Sequence, residues 1–161
     1  MPTLAPWAKY LLYAWLAIVC LACAVSDART RRIPNKITYP TILTLIAFHT
    51  ALGGLPGFYA SALGLAAGMS LLIAPYALGK MGAGDVKLLG VVGAALGVSG
   101  ALTAFLFTCL AGGAQGFYYL IRGYGSKDAA ADGRMCYGLA IAAGAVAAMI
   151  WNLAGKEFIR F

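Results

Sequence analysis

The sequence predicts an all-α polytopic membrane protein with about six transmembrane helices. Hydrophobic residues make up 62% of the 161 residues and charged residues 11%, whereas soluble domains average about 45–50% and about 25%. The mean hydropathy is +0.84, and the apolar residues fall into runs that suit bilayer-spanning helices. The basic residues lie at the edges of these runs. This placement favours a lipid bilayer as partner and argues against nucleic acid.

Six apolar segments follow one another along the chain, and we predict one transmembrane domain over residues 1–161. The segments are 7–26, 37–53, 58–79, 86–98, 101–121 and 135–154. Basic residues follow the first segment and do not lead it, which is typical of a retained helix and not of a cleaved signal. The fourth segment is short and rich in glycine. Gly64 and Gly68 have the small-residue spacing that allows close helix packing in lipid.

The distribution of lysine and arginine predicts the orientation. Nine of the twelve basic residues lie in the connections after the first, third and fifth segments. They are Arg29, Arg31, Arg32, Lys36, Lys80, Lys87, Arg122, Lys127 and Arg134. Only Lys9, Lys156 and Arg160 belong to the opposite side. Two short outer turns are predicted on that side, at 53–57 and 98–100, and neither carries a charge. Because cytoplasmic connections carry the basic excess, we expect the nine in the cytoplasm and both termini outside.

Cysteine and histidine point to packing and not to chemistry. Cys20 and Cys23 have the C-x-x-C spacing, but no second close pair accompanies them, so we expect small buried thiols and no metal site. His49 is the only histidine, and its place in the second segment separates it from the acidic residues at the helix ends, so no Ser-His-Asp arrangement is available at one face. We expect a hydrogen-bonded packing role for His49, toward the outer side and away from the acidic residues discussed next.

Two of the five acidic residues have unusual positions. Asp128 and Asp132 fall in a polar connection and Glu157 in the tail, but Asp27 and Asp85 each lie where a helix meets a cytoplasmic connection. An anion at the C-terminal end of the first helix opposes the helix dipole by about 0.3–1 kcal/mol. Asp27 could instead form an exposed ion pair with a nearby arginine. Asp85 precedes the fourth segment, where capping alone would account for it.

Two carboxyl groups close together in a poorly hydrated place cannot easily both ionise. The charged one can then take a proton from water, while the protonated one stabilises the charge on a peptide carbonyl oxygen. Such a dyad hydrolyses a peptide bond without a metal or cofactor.

The flanking residues support a shaped loop at each aspartate. Gly82 and Gly84 would let the chain bend tightly and leave room for a substrate backbone. Pro34 forces the preceding residue toward extended geometry, and Asn35 is a plausible cap for the second helix. With Lys87, these residues are candidates for substrate binding or active-site support.

Segments 26–36 (SDARTRRIPNK) and 81–89 (MGAGDVKLL) resemble those of the type IV prepilin peptidases, membrane aspartic peptidases of the GxGD class. The short length most resembles the bacterial Tad/Flp-type members. The resemblance runs from about residue 24 to 144 and implies that Asp27 and Asp85 are catalytic. It also implies cleavage at the cytoplasmic face of the inner membrane, commonly after glycine. The implied substrate is a prepilin with a basic leader and a hydrophobic helix, and contact with pilus assembly proteins is possible.

Two departures from the family pattern qualify this resemblance. Longer members carry an N-terminal segment with paired cysteine motifs and also methylate the new N-terminus. The present sequence does not show that segment, so we expect no methyltransferase activity. Cys136 stands before Tyr137-Gly138, where the family often has proline.

Two readings from other classes stay open. A small channel or transporter could use Asp27 and Asp85 to bind cations, although the basic cluster beside them argues against cation conduction. A non-catalytic scaffold subunit of a pilus assembly system could use Asp85 only as a cap. A cleavage assay separates both from a peptidase.

Overall fold

The computed structural model describes residues 6–121 and 137–159, apart from the side chains of residues 119 and 120. These ranges hold four helices and no β-strand: α1 (Pro6–Thr30), α2 (Asn35–Ala77), α3 (Ala83–Ile121) and α4 (Tyr137–Leu153). Three of them, α1 to α3, are long and apolar enough to cross a membrane, and α4 is a shorter apolar helix. The predicted all-α class is confirmed. The count of six spans and the side of the termini stay predictions.

One glycine redirects the chain inside α2. Gly54 has φ 60° and ψ −147°, a conformation that favours glycine strongly. A Cβ placed on Gly57 would collide with the carbonyl oxygen of His49. Residues eight apart in a straight helix are separated by about 12 Å along the axis, so the chain folds back here. Helix α2 is therefore two arms, 35–53 and 55–77, joined at the predicted outer turn.

Helix α3 reverses in the same way at Gly97, which has φ 73° and ψ −176°. A Cβ on Gly93 would lie 3.4 Å from the Cβ of Ala101, again eight residues away. The arms of α3 are residues 83–96 and 98–121. Their junction adjoins the turn predicted at 98–100.

Glycines bring the second arm of α2 against the first arm of α3. A Cβ on Gly64 would strike the backbone of Gly93, and one on Gly68 would strike the carbonyl of Leu89. Because the contact moves backward along α3 as it moves forward along α2, the two arms are antiparallel. The predicted packing role of Gly64 and Gly68 is confirmed.

Helix α4 lies against the second arm of α3 and antiparallel to α1. Gly144 faces the backbone and hydroxyl of Thr108. Tyr13 on α1 donates its hydroxyl to Oδ1 of Asn152 on α4 at 2.8 Å. The largest completely buried side chains include Leu16, Leu45, Leu72, Leu88, Leu89 and Ile141. Many large apolar side chains instead face outward, as lipid would require.

His49 and the cysteine pair lie in the packed interior. The ring of His49 is completely buried, and its Nε2 donates to the carbonyl oxygen of Ala95 at 3.1 Å. This contact supports the predicted hydrogen-bonded packing role. Cys20 and Cys23 are both buried and free.

Candidate active site

Asp27 lies in the last turn of α1 and is 7% exposed. Its Oδ2 accepts the backbone N–H of Gly138, the second residue of α4, at 3.0 Å. The first N–H groups of a helix have no partner within the helix, and the dipole there favours an anion. The start of α4 therefore compensates the unfavourable position of Asp27 at the end of α1. The predicted position of Asp27 at the C-terminal end of the first helix is confirmed, and the helix continues beyond the apolar segment 7–26 to Thr30.

Asp85 is the third residue of α3 and is 8% exposed. Its Oδ2 accepts the backbone N–H of Gly82 at 3.1 Å, and its own N–H donates to the Gly82 carbonyl oxygen at 3.1 Å. These two bonds close the turn 82–85. The prediction that Asp85 precedes its helix is wrong, because α3 already begins at Ala83.

The two aspartates are 58 residues apart in the sequence, yet they lie at the same end of the bundle. The turn around Asp85 packs on the connection that follows Asp27, through the contact of Gly84 with Ile33. Each aspartate is buried and each is held by a backbone amide from a different helix start. This is the arrangement in which two carboxyl groups can share the tasks of base and acid.

The connection between α1 and α2 is a defined turn. Arg31 has a positive φ of 51°, and its N–H donates to the Asp27 carbonyl oxygen at 2.8 Å. The Ser26 hydroxyl donates to the Arg32 carbonyl oxygen at 3.0 Å, and the Thr30 hydroxyl donates to the Ser26 carbonyl oxygen at 2.8 Å. The end of α1 is thus tied to the connection directly after Asp27.

The start of α2 differs from the prediction. Pro34, with φ −72° and ψ 127°, occupies the N-cap position, and no side chain caps the helix. Asn35 is the first helical residue, and its Oδ1 accepts a hydrogen bond from the ammonium group of Lys87, with the two atoms 2.9 Å apart. The Lys87 nitrogen also lies 4.8 Å from the ring centroid of Tyr39. The predicted capping role of Asn35 is therefore wrong, because its side chain reaches across to α3.

Gly82 and Gly84 are both close to the dyad, but they do different things. A Cβ on Gly84 would lie 2.8 Å from the Cβ of Ile33, so the α1–α2 connection packs directly on the Gly82–Asp85 turn. A Cβ on Gly82 would lie 3.4 Å from Asp85 Oδ2, an ordinary contact. Gly82 donates its N–H to the Asp85 carboxyl group. Gly84 has no side chain, and this lets Ile33 pack against the turn.

Gly138 is the residue of this site that sequence reasoning missed. From the sequence alone, Gly138 is predicted only to help the last helix pack. Almost every residue has a backbone N–H, so the sequence does not reveal which one donates to a distant carboxylate. The one available signal for Gly138 was the resemblance of the Tyr-Gly pair to the family pattern. Several residues considered above lie outside the described part of the chain: Arg122, Lys127, Asp128, Asp132, Arg134, Cys136 and Arg160.

Comparisons with a family model and with a curated protein both indicate leader peptidases. A model of the type IV leader peptidase family matches residues 14–117, a range that contains both aspartates. The prepilin leader peptidase/N-methyltransferase of Bacillus subtilis (strain 168) is 35% identical over 140 residues, which is 86% of this chain and 53% of that protein. The chain thus spans about half the length of this curated relative. No solved structure matches the chain. The chain belongs to the type IV leader peptidase family.

Proposed function

We propose that the chain is an aspartic endopeptidase that removes the leader peptides of type IV prepilins, with Asp27 and Asp85 as its catalytic dyad. The observation that supports this best is that two buried carboxyl groups, each accepting a backbone N–H, lie at one end of a membrane bundle. Membership of the family supports a peptidase. The name of the Bacillus subtilis relative supports a prepilin as substrate.

The proposed reaction is the hydrolysis of one peptide bond by water. Since Oδ2 of each aspartate accepts a backbone N–H, the other oxygens are assigned to water and substrate. The ionised carboxylate takes a proton from water as the water oxygen bonds to the carbonyl carbon. The protonated carboxyl hydrogen-bonds the carbonyl oxygen and stabilises its charge. The carbonyl then re-forms as the C–N bond breaks, and the leaving amine takes the proton that the carboxylate received from water, which returns the dyad to its starting state.

The neighbouring residues are proposed to hold this geometry. Lys87 links the start of α3 to Asn35 at the start of α2, and Pro34 fixes where α2 begins. Gly84 lets the connection settle on the Gly82–Asp85 turn. These contacts join the two aspartate-bearing segments, as a dyad with fixed spacing requires.

The membrane arrangement is also part of the proposal. Residues 1–161 would form one domain, and the six helical segments formed by α1, the arms of α2 and α3, and α4 would each cross the bacterial inner membrane. The aspartates would then lie at the cytoplasmic face, where nine of the twelve basic residues are expected. A Flp-type prepilin is the proposed substrate. The absence of methyltransferase activity stays a prediction.

The test is cleavage of a purified Flp-type prepilin by the full chain in lipid nanodiscs. We expect Asp27→Asn and Asp85→Asn to lose cleavage at unchanged protein levels. Glu157→Gln is the matched control, because Glu157 is an exposed acidic residue in the tail and should cleave normally. Undiminished cleavage by either asparagine variant would exclude the dyad mechanism.

A further inference from the structure

We infer that Gly138 is a positioning residue for Asp27: its backbone N–H orients the carboxylate, and its missing side chain provides the space that the carboxylate occupies. This inference rests on the proposed function, since Asp27 matters to catalysis only if the dyad is correct. Gly138 lies outside the range 14–117 that the family model matches. Helix α4 would therefore contribute to the active site from beyond that range.

The first argument is the hydrogen bond. Gly138 donates to Asp27 Oδ2 at 3.0 Å in a buried setting. A backbone N–H donated to a carboxylate is a charge-assisted bond, about twice as strong as a neutral one. It also gives direction, because a backbone donor in a helix cannot rotate away as a side chain can.

The second argument is the lack of space. A Cβ on Gly138 would lie 2.8 Å from Oδ2 of Asp27 and 3.0 Å from both its Cγ and its Cβ. The contact with Oδ2 is shorter than real side-chain carbons show, and the two at 3.0 Å are so tight that the neighbouring atoms must shift by a few tenths of an ångström. Any other residue at 138 would therefore push the carboxyl group out of its present position or separate α1 from α4.

The third argument is that α4 has little freedom to move away. Gly144, six residues further along, is pressed against the backbone of Thr108 and the carbonyl of Ala104 on α3. At the far end of α4, Asn152 is bonded to Tyr13 of α1. Since α4 is held on both neighbours, a methyl group at 138 displaces Asp27 more readily than it displaces the helix.

The functional test compares three glycine-to-alanine variants of the full chain in nanodiscs. Gly138→Ala should lower kcat by up to about 100-fold with KM nearly unchanged, because a misplacement of about 1 Å in a reacting group has that effect. Gly144→Ala is the crowded control on the same helix, where the added carbon meets Thr108 and not Asp27: it should reduce the folded yield more than Gly138→Ala does, and lower kcat per folded molecule less. Gly113→Ala, with open space around its Cβ, should change neither quantity. A Gly138→Ala variant with normal kcat per folded molecule would overturn the inference.

A second measurement does not depend on activity or on the folding of Gly138→Ala. Labelling tyrosine with carbonyl-13C and glycine with 15N selects the Tyr–Gly pairs, which occur at 124–125 and 137–138. The variant Tyr124→Phe removes the first pair and leaves the Gly138 amide signal. The proton chemical shift of this amide should lie downfield in the wild-type chain. It should move upfield in Asp27→Asn, since a neutral amide oxygen is a weaker acceptor than a carboxylate. An amide signal that Asp27→Asn leaves unchanged would contradict the bond.

These experiments separate the two proposals. A wild-type chain that fails to cleave, but whose Gly138 amide responds to Asp27→Asn, contradicts the peptidase and keeps the contact. The opposite result is also possible to recognise. If cleavage needs both aspartates, but Gly138→Ala has a normal kcat and Asp27→Asn does not move the Gly138 amide signal, the peptidase proposal stands and the role of Gly138 is overturned.

Discussion

Glycine serves different purposes at the two ends of this bundle. At the aspartate end, made of residues 27–35, 82–87 and 138, glycines supply amides to carboxyl groups and leave room for them. At the turn end, made of residues 53–57 and 96–101, Gly54 and Gly97 take a positive φ and reverse the chain. The glycines at one end position the two aspartate carboxyl groups, and those at the other determine the path of the backbone.

This difference implies that the two ends respond differently to substitution. Changes at the aspartate end should lower the rate of cleavage while the bundle stays folded. Changes at the turn end should lower stability while the molecules that remain folded keep their activity. Each of the following predictions tests one side of this contrast.

The largest effect is expected for the dyad itself. Asp27→Asn and Asp85→Asn should each reduce kcat by about 10²–10⁴-fold, the usual contribution of acid–base catalysis. The double variant should be little worse than either single one, because residues that act as a unit are not additive. Initial rates of prepilin cleavage measure this. If the loss of kcat in the double variant instead equals the product of the two single losses, the two carboxyl groups act in separate steps.

The next effect concerns the turn end. Gly97→Ala should lower the free energy of unfolding by about 1–3 kcal/mol, since a residue with a Cβ is strained at φ 73° and ψ −176°. Denaturant unfolding in detergent measures this, with Gly113→Ala as a neutral control. The folded fraction should cleave at the wild-type rate. A loss of kcat without a loss of stability would mean that the turn end also shapes the active site.

A smaller effect is expected where the connection meets the dyad. Gly84→Ala should lower kcat by about tenfold, or roughly 1.4 kcal/mol in the activation barrier, because its Cβ would lie 2.8 Å from that of Ile33. Adding Ile33→Gly removes the opposing carbon and should restore most of the activity. Steady-state cleavage rates of the single and double variants decide this. A double variant as slow as Gly84→Ala would show that the contact with Ile33 is not the cause.

The smallest effect is expected for Lys87. Lys87→Met keeps the apolar stem but loses the bond to Asn35 and the contact with the Tyr39 ring. Exposed interactions of these kinds contribute up to about 1 kcal/mol, so their loss should change the free energy of unfolding and the activation barrier by no more than that. Unfolding midpoints and initial rates measure this. A loss of more than about tenfold, which is 1.4 kcal/mol, would indicate that Lys87 acts on the substrate directly.

Much of this site could be predicted from sequence because aspartate is so costly in lipid. Asp27 and Asp85 could be singled out because each lies where an apolar segment meets a basic connection; their catalytic role stays a prediction. The chain reversals near residues 54 and 97 were predicted from the lengths of those runs. Both features follow from composition along the chain and need no knowledge of tertiary contacts.

The parts that sequence reasoning missed depend on contacts between distant segments. Asn35 looked like a helix cap, but its side chain bonds Lys87, 52 residues away. Asp85 looked like a residue outside its helix, but the turn at Gly82 starts the helix earlier. Gly138 supplies a backbone N–H to a residue 111 positions away. Backbone donors and side-chain directions of this kind are fixed by tertiary packing and have no local pattern.

The central claim is that residues 27 and 85 meet, and a crosslink tests it most directly. Asp27→Cys and Asp85→Cys would be combined in a chain whose four native cysteines are replaced by alanine, then treated with the shortest bis-methanethiosulfonate reagent. The matched control pairs Asp27→Cys with Ser99→Cys at the turn end. We expect linked peptides containing residues 27 and 85 by mass spectrometry, and none for the control. A folded chain that links neither pair, or links residue 27 to 99 as readily as to 85, would contradict the account.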